Sequence, residues 1–503
     1  MSLKIGGKIE RVNGKELSYE QFVERYLQKN EPVLLTGLMD DWGACRDWVT
    51  EDGKPNFHFL STHFGSSMIQ VAECGRREFT DQKRVQMSVK EFIIHWLELS
   101  TRKCSNSVNY NSKNQDLLYL KDWHFVKEYP NFVAYSTPPF FVDDWLNLYL
   151  DTHKMHEDPH TCRDINEINC SDYRFVYMGP KGTWTPLHAD VFRSYSWSAN
   201  VCGRKQWHFL SPSQCHLLFD RNMKNSVYDI FEDVVEVQFP GFKKAIWLEC
   251  TQEQNEVIFV PSGWYHQVQN MEDTISINHN WFNAYNLSWV WNLLLKDYNE
   301  AKEYIEDIRD ICDNFEGLCQ RNLAANTGMN FFDFFTFITR ISFANLVLVY
   351  HLLQNERSRC GTGSRRAQHH ITNLKSVHVV ASKMISVDAF TEKNLHCSLE
   401  EDQFSSIEIR KMLTEPEFIE LCSKLNGTYE ATNAGQGAGI RNSDADMEDH
   451  QLIQFLKSDL LDSDFVNAFG FKISHPKELI KAINNAIKYL NVIAPWDVGF
   501  FPE

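Results

Sequence analysis

The stretch "DYRFVYMGPKGTWTPLHADVFRSYSWSANVCGRKQWHFLSP", residues 172–212, is a series of short aromatic and β-branched runs separated by Gly, Pro and Asn. Runs of this length, bounded by turn formers, are the pattern of strands in a sandwich, jelly roll or barrel. At its centre "TWTPLHADVF", residues 183–192, places His188 and Asp190 two positions apart. Side chains i and i+2 of a strand project from one face, so the sequence predicts a strand that presents an imidazole beside a carboxylate. Such a pair is either a solvated pair on an edge strand or two legs of a metal site.

The same texture extends from about Asp116 to Trp281 through "LLYLKDW", "AIWLECTQ", "NEVIFVPSG" and "TISINHNWF", with no helical crossovers between the runs. Before it, "SYEQFVERYLQKN" followed by "EPVLLTGLMDDW" predicts a capped amphipathic helix leading into a short apolar strand. After Leu287 the pattern turns helical, and 426–448 is a Gly/Asn/Asp-rich stretch expected to be a linker. The expected parts are 1–115 as N-terminal α/β elements, 116–286 as the β core, 287–425 as a helical region, 426–448 as linker and 449–503 as C-terminal helices. A polar interruption at 152–172 is expected to be an inserted surface loop. Its His153, His156, His160 and Cys162 are of the types that ligate zinc, although a polar loop collects such residues without purpose.

The 503 residues carry a formal net charge of −17, which argues against a protein whose main task is gripping phosphate backbones. The basic run "RSRCGTGSRRAQHH", 357–370, is expected to be a solvated loop. Thirteen cysteines without a C-x-x-C pair suit free thiols in a reducing compartment. No signal peptide is expected at the N-terminus, and the apolar run "FANLVLVYHLL", 343–353, is too short to span a bilayer. These features predict a cytoplasmic or nuclear protein that acts on neither membranes nor, directly, nucleic acid.

Two imidazoles and one carboxylate on one face of a metal, with the remaining positions open, is the ligand set of non-haem Fe(II) oxygenases. His188 and Asp190 supply two members, and His266 in "FVPSGWYHQVQN", 259–270, follows 78 residues later on another strand-like run. This chemistry also needs an anchor for the distal carboxylate of 2-oxoglutarate. Lys205, seventeen residues after His188 among aromatic neighbours, is the candidate, because a charge-assisted bond offsets the cost of a buried ammonium. The plainer alternative is a lysine that snorkels to the rim.

Through "LLYLKDWHF", the 172–212 stretch and "FVPSGWYHQVQNMEDTISINHNWFNAYN", the chain resembles the JmjC-domain 2-oxoglutarate oxygenases, and among them the JmjC-domain-containing protein 4 subfamily of lysyl hydroxylases. The resemblance implies a mainly β fold with α: a double-stranded β-helix core, jelly-roll and cupin-like, with N-terminal α/β elements and a helical C-terminal region. It makes His188, Asp190 and His266 the iron ligands and Lys205 the 2-oxoglutarate anchor, with Thr185 helping it. Tyr119 and Asn280 match co-substrate contacts. Ser198 and Asn278 stand where some relatives have asparagine and threonine.

The resemblance further implies Fe(II), 2-oxoglutarate and dioxygen as cofactor and co-substrates. The implied substrate is a lysine side chain in the Asn-Ile-Lys-Ser motif of the eukaryotic translation termination factor, hydroxylated at carbon in support of translation termination. Alternatives are a demethylase of methylated lysine and a non-catalytic scaffold. The helical third is compatible with a homodimer, a recognition cap or a stabilising pack. Trp184 and Trp197 are barrel residues or channel linings, whereas His124, His208 and His279 are expected to be structural.

Overall fold

A computed structural model of the chain describes residues 3–104, 117–156, 172–232, 234–356, 363–400, 404–433 and 443–493. The contacts divide it into two compact units, 1–141 with 173–280 and 142–172 with 281–503.

The first unit carries β1 (Lys4–Lys8), β2 (Glu10–Asn13), β3 (Val33–Thr36), β4 (Met68–Glu78), β5 (Asp81–Ser88), β6 (Leu118–Trp123) and β7 (Arg174–Gly179). They are followed by β8 (Trp184–His188), β9 (Tyr195–Cys202), β10 (Lys205–Leu210), β11 (Ile246–Gln252), β12 (Glu256–Val260), β13 (Tyr265–Asn270) and β14 (Thr274–Trp281). One sheet has the order β1-β11-β10-β13-β8, the other β2-β3-β12-β9-β14-β7-β6-β4-β5. The expected jelly-roll core is therefore present, and the N-terminal strands extend its sheets.

Strand β12 shows why both faces are apolar. Ile258 and Val260 join Trp207, Phe209 and Val268 of the smaller sheet in a shared core. Phe259 points the other way, onto Phe22 and Phe141 with ring centroids 5.4 and 6.2 Å apart. Alternation delivers successive residues to two apolar layers, so the strand reads as a continuous apolar run. Phe22 lies on the expected N-terminal helix, which opens on a capping box between Ser18 and Gln21 and runs on from Tyr19–Phe22 through the π-helical turn Val23–Leu27.

The second unit is helical: α1 (Trp145–Leu150), α2 (Leu287–Tyr304), α3 (Phe315–Thr327), α4 (Phe331–Glu356), α5 (Gly363–Met384), α6 (Pro416–Asn433), α7 (Ser443–Gln454) and α8 (Pro476–Ile493). Helix α4 is longer than its 343–353 apolar run suggested. By length and composition Phe331–Gln354 is sufficient to cross a membrane, yet 83% of that apolar window is buried inside the structure, where α5, α6 and α8 pack on it. A helix apolar all round is a core helix when neighbours cover every face.

Three expectations are corrected here. The linker is helical at both described ends, because 426–433 complete α6 and 443–448 open α7, while 434–442 lie outside the described residues. The basic run is likewise helical from Gly363 onward, in α5. Finally, the described part of the 152–172 insertion packs within the helical unit. His153 accepts from Arg340 Nη1 at 2.8 Å, and His156 Nδ1 lies 2.7 Å from Asp333. Those partners engage both histidines without a metal, whereas His160 and Cys162 lie outside the described residues.

Candidate metal and co-substrate site

The site lies on the β core, and strand pairing builds it. β13 pairs with β10 on one side and β8 on the other, so His266 stands directly opposite His188. Their rings are 4.3 Å apart between centroids. The turn before β13 is tied down by Asn30, whose side chain bonds both the backbone N–H and the carbonyl of Ser262. Asn30 O also accepts from Trp264 Nε1 at 2.8 Å. This fixes the entry of the strand two residues before the histidine.

Asp190 arrives differently from the expectation. β8 stops at His188, and Asp190 begins a short 3₁₀ turn, Val191–Arg193, that contains the left-handed residues Phe192 and Arg193. The carboxylate converges all the same: one ligand atom from each of His188, Asp190 and His266 lies within 4.8 Å of the others. Among the described residues this is the one such group of His, Cys, Asp and Glu.

The surrounding bonds prepare all three for a cation. His188 Nδ1 is 2.8 Å from Pro186 O and His266 Nδ1 is 3.2 Å from Trp264 O. With each Nδ1–H donating to its carbonyl, both Nε2 lone pairs are free to ligate. Burial, with the charge of His188 second, lowers the pKa of His266 and favours the neutral imidazole that a metal requires. Ser196 Oγ donates to Asp190 Oδ2 at 2.7 Å, leaving Oδ1 without that bond.

Lys205 opens β10 and is 2% exposed, which excludes snorkelling. Its Nζ donates to Ser276 Oγ at 2.8 Å and Tyr119 Oη at 3.3 Å, and among the described residues it has no carboxylate partner. Burial lowers its pKa to about 7. The hairpin that sets its position depends on Gly203, with φ +74°, where a Cβ would stand 2.1 Å from Asp273 O.

A single pocket is lined by His188, Asp190, His266, Lys205, Thr185, Tyr119, Ser198, Asn278 and Asn280, together with Tyr177, Ser196, Trp197, Trp207 and Val268. Every site residue expected from the sequence therefore borders one space. Thr185 does so through a bulge: His266 pairs with His188 and Val268 with Thr185, so β8 spends three residues where β13 spends two. In a regular strand, positions 185 and 188 would face opposite sides; the extra residue brings both into the pocket. Asn278 donates to Ser276 Oγ and Asn280 to Ser194 Oγ, at 3.3 and 3.1 Å.

The donor set fits iron(II) and 2-oxoglutarate. Two neutral imidazoles and a carboxylate stand at one end, and an ammonium held only by neutral hydroxyls stands at the other. A buried cation so placed is short of one anion. The buried Ser198 Oγ, which faces the same pocket, has no hydrogen-bond partner among the described residues. A bound dicarboxylate would supply acceptors to both.

The sequence reading missed Ser276 and Ser196, because a serine beside a lysine or an aspartate only in space leaves no pattern along the chain. Trp197 does line the pocket, stacked on Phe141 and tilted against His279, whereas Trp184 packs with Cys74, Leu99, Leu117 and Tyr119 and is not among the pocket's lining residues. His279 is structural, with Nε2 2.6 Å from Tyr135 Oη.

The cupin-like domain family matches this chain over residues 19–286. The chain is 53% identical over 485 residues to the "Arginine-specific demethylase JMJ20" of Arabidopsis thaliana, across 96% of this chain and 98% of that protein. It is 36% identical over 340 residues to the human "2-oxoglutarate and iron-dependent oxygenase JMJD4", across 66% of this chain and 75% of that protein. To the "Bifunctional arginine demethylase and lysyl-hydroxylase psr-1" of Caenorhabditis elegans it is 29% identical, across 57% and 64% respectively.

Proposed function

The chain belongs to the cupin-like JmjC 2-oxoglutarate- and iron-dependent oxygenases, and we propose that it hydroxylates a lysine side chain of a protein at carbon. The target in this reading is the Asn-Ile-Lys-Ser motif of the eukaryotic translation termination factor, met in the cytoplasm or nucleus. The observation that carries the chemistry is one pocket with His188, Asp190 and His266 at one end and, at the other, buried Lys205, which has no anionic partner among the described residues. The likeness to the JMJD4 oxygenases supports the oxygenase chemistry, and the target is the one that the sequence resemblance implies. A net charge of −17 also favours approach of a basic segment.

Iron(II) with 2-oxoglutarate and dioxygen would supply the oxidising power when bound. The protein's own work is placement. His188, Asp190 and His266 would hold the metal, and Lys205, held by Ser276 and Tyr119, would pair with the distal carboxylate of 2-oxoglutarate. The rings of Trp197 and Trp207 line the pocket, where they would limit the access of water. Which bond is oxidised then depends on which carbon of the substrate side chain is presented.

A second reading is favoured by one observation, the 53% identity with a protein named as an arginine-specific demethylase. The same placement acting on an N-methyl carbon gives an N-hydroxymethyl group that releases formaldehyde, so hydroxylation and demethylation differ only in the carbon presented. Both are tested in parallel by incubating the protein with Fe(II), 2-oxoglutarate and air. One tube receives termination factor and the other a methylarginine peptide, each beside an Asp190→Ala control. One added oxygen on the target lysine supports the first reading. Formaldehyde with loss of a methyl group, in the absence of that oxygen, replaces it with the second.

A further inference from the structure

Strand β6 carries an array of charge that the site described above does not use. Tyr119 reaches the pocket, and Lys121, 2% exposed, donates to Gln82 Oε1 at 2.8 Å with Asp81 at 3.6 Å. Asp122 adopts φ +58°, a left-handed conformation unfavourable to most side chains. The pairing of β6 with β7 explains it: Leu120 pairs with Met178 and Trp123 with Val176, so β6 holds one residue more than its partner. The bulge brings the Asp122 carboxylate to Tyr177 on β7, whose hydroxyl donates to Oδ1 at 2.5 Å. Arg84 Nη1 donates to the other oxygen, and Arg84 Nη2 to Asp81 at 3.2 Å.

Tyr177 lines the pocket and meets Tyr119 edge to face, with centroids 5.9 Å apart at 90°. From another side Tyr119 is confined by Gly179, where a Cβ would stand 2.7 Å from the Tyr119 ring. The Lys121 and Lys205 ammoniums lie 5.7 and 6.0 Å from the Tyr119 centroid. A continuous chain of contacts thus runs from Arg84 through Asp122, Tyr177 and Tyr119 to Lys205.

We infer that Arg84 and Asp122 are positioning residues for 2-oxoglutarate: they pin Tyr177, which holds Tyr119 against Lys205 and so fixes the anchor of the distal carboxylate. A phenol held by an ion-paired carboxylate favours one orientation, because rotation would forfeit a charge-assisted hydrogen bond. The inference rests on the 2-oxoglutarate reading of the pocket and is independent of which protein is the substrate.

The test is calorimetric binding of 2-oxoglutarate to the full-length protein loaded with Mn(II), in Arg84→Met, Arg84→Lys and Tyr177→Phe variants, with Mn(II) affinity measured separately. Arg84→Met and Tyr177→Phe are expected to weaken 2-oxoglutarate binding by about three- to tenfold, with Mn(II) affinity within about twofold of wild type. Arg84→Lys, which keeps the charge but loses the fork, is expected to fall between. Variants that melt earlier yet bind 2-oxoglutarate like wild type would show a purely structural role and overturn the inference, as would parallel losses of Mn(II) and 2-oxoglutarate affinity. If Arg84→Met does not fold, Tyr177→Phe, which removes only a hydroxyl, decides alone. No protein substrate enters the measurement, so failure of the lysine reading leaves its outcome intact.

Discussion

His188 and His266 are direct partners across the β8–β13 ladder, 78 residues apart in the chain and 4.3 Å apart between ring centroids. The alignment of two antiparallel strands thus sets the spacing of two imidazoles that could hold a metal, and the adjacent bulge adds Thr185 to the same wall.

Removing a ligand is therefore a local change. His266→Ala is expected to lower Fe(II) or Mn(II) affinity by at least about a hundredfold and abolish succinate formation. It should leave the far-ultraviolet circular dichroism spectrum unchanged, because the ladder bonds are backbone bonds. Metal titration by calorimetry beside the spectrum checks both halves.

Ser196 donates to Asp190 Oδ2, and its removal frees the carboxylate to rotate. Ser196→Ala is expected to weaken metal binding by about 10–100-fold, the range of other outer partners of metal ligands. Full activity at saturating iron, with a raised half-saturating iron concentration, would distinguish this from loss of the fold.

Lys205 gives a pH dependence of definite sign. Burial lowers its pKa to about 7 in the free protein, while a bound carboxylate favours the ammonium. Above about pH 7 the ammonium must be re-formed on binding, so 2-oxoglutarate affinity is expected to fall by up to about tenfold per pH unit, with proton uptake. The stability effect of the same group runs the other way. Between about 7 and the ordinary 10.5 the unfolded chain binds the extra proton, so the ligand-free fold gains stability as pH rises through that window. Lys205→Met should abolish 2-oxoglutarate binding while holding or raising the melting temperature at neutral pH. A flat affinity profile from pH 6 to 9 would rule this out.

Gly203 turns the chain from β9 into β10 at φ +74°, with a backbone oxygen where a Cβ would be. Gly203→Ala is expected to cost about 2 kcal/mol or more in denaturant unfolding. By moving the start of β10 it should also weaken 2-oxoglutarate binding more than metal binding.

The chemistry of the site was legible along the chain because residue type carries it: an H-x-D pair, a later histidine after Pro-Ser-Gly and a lysine among aromatics. The extent of β structure was legible for the same kind of reason, since short apolar runs between turn residues have few other uses. The helical ends of the 426–448 stretch were hidden, because Gly and Asn lower helix propensity locally while tertiary packing decides the outcome.

By itself the sequence determined which atoms are available to bind iron and 2-oxoglutarate, and roughly which strands bear them. Only the tertiary structure decided that Asp190 lies beyond its strand, that a bulge turns Thr185 inward, and that Ser276 and Ser196 hold the lysine and the aspartate. The physical reason is that side-chain identity is local. Register, bulges and hydrogen bonds to partners dozens of residues away are settled when the strands pair, because one residue of slip exchanges the pocket face for the other.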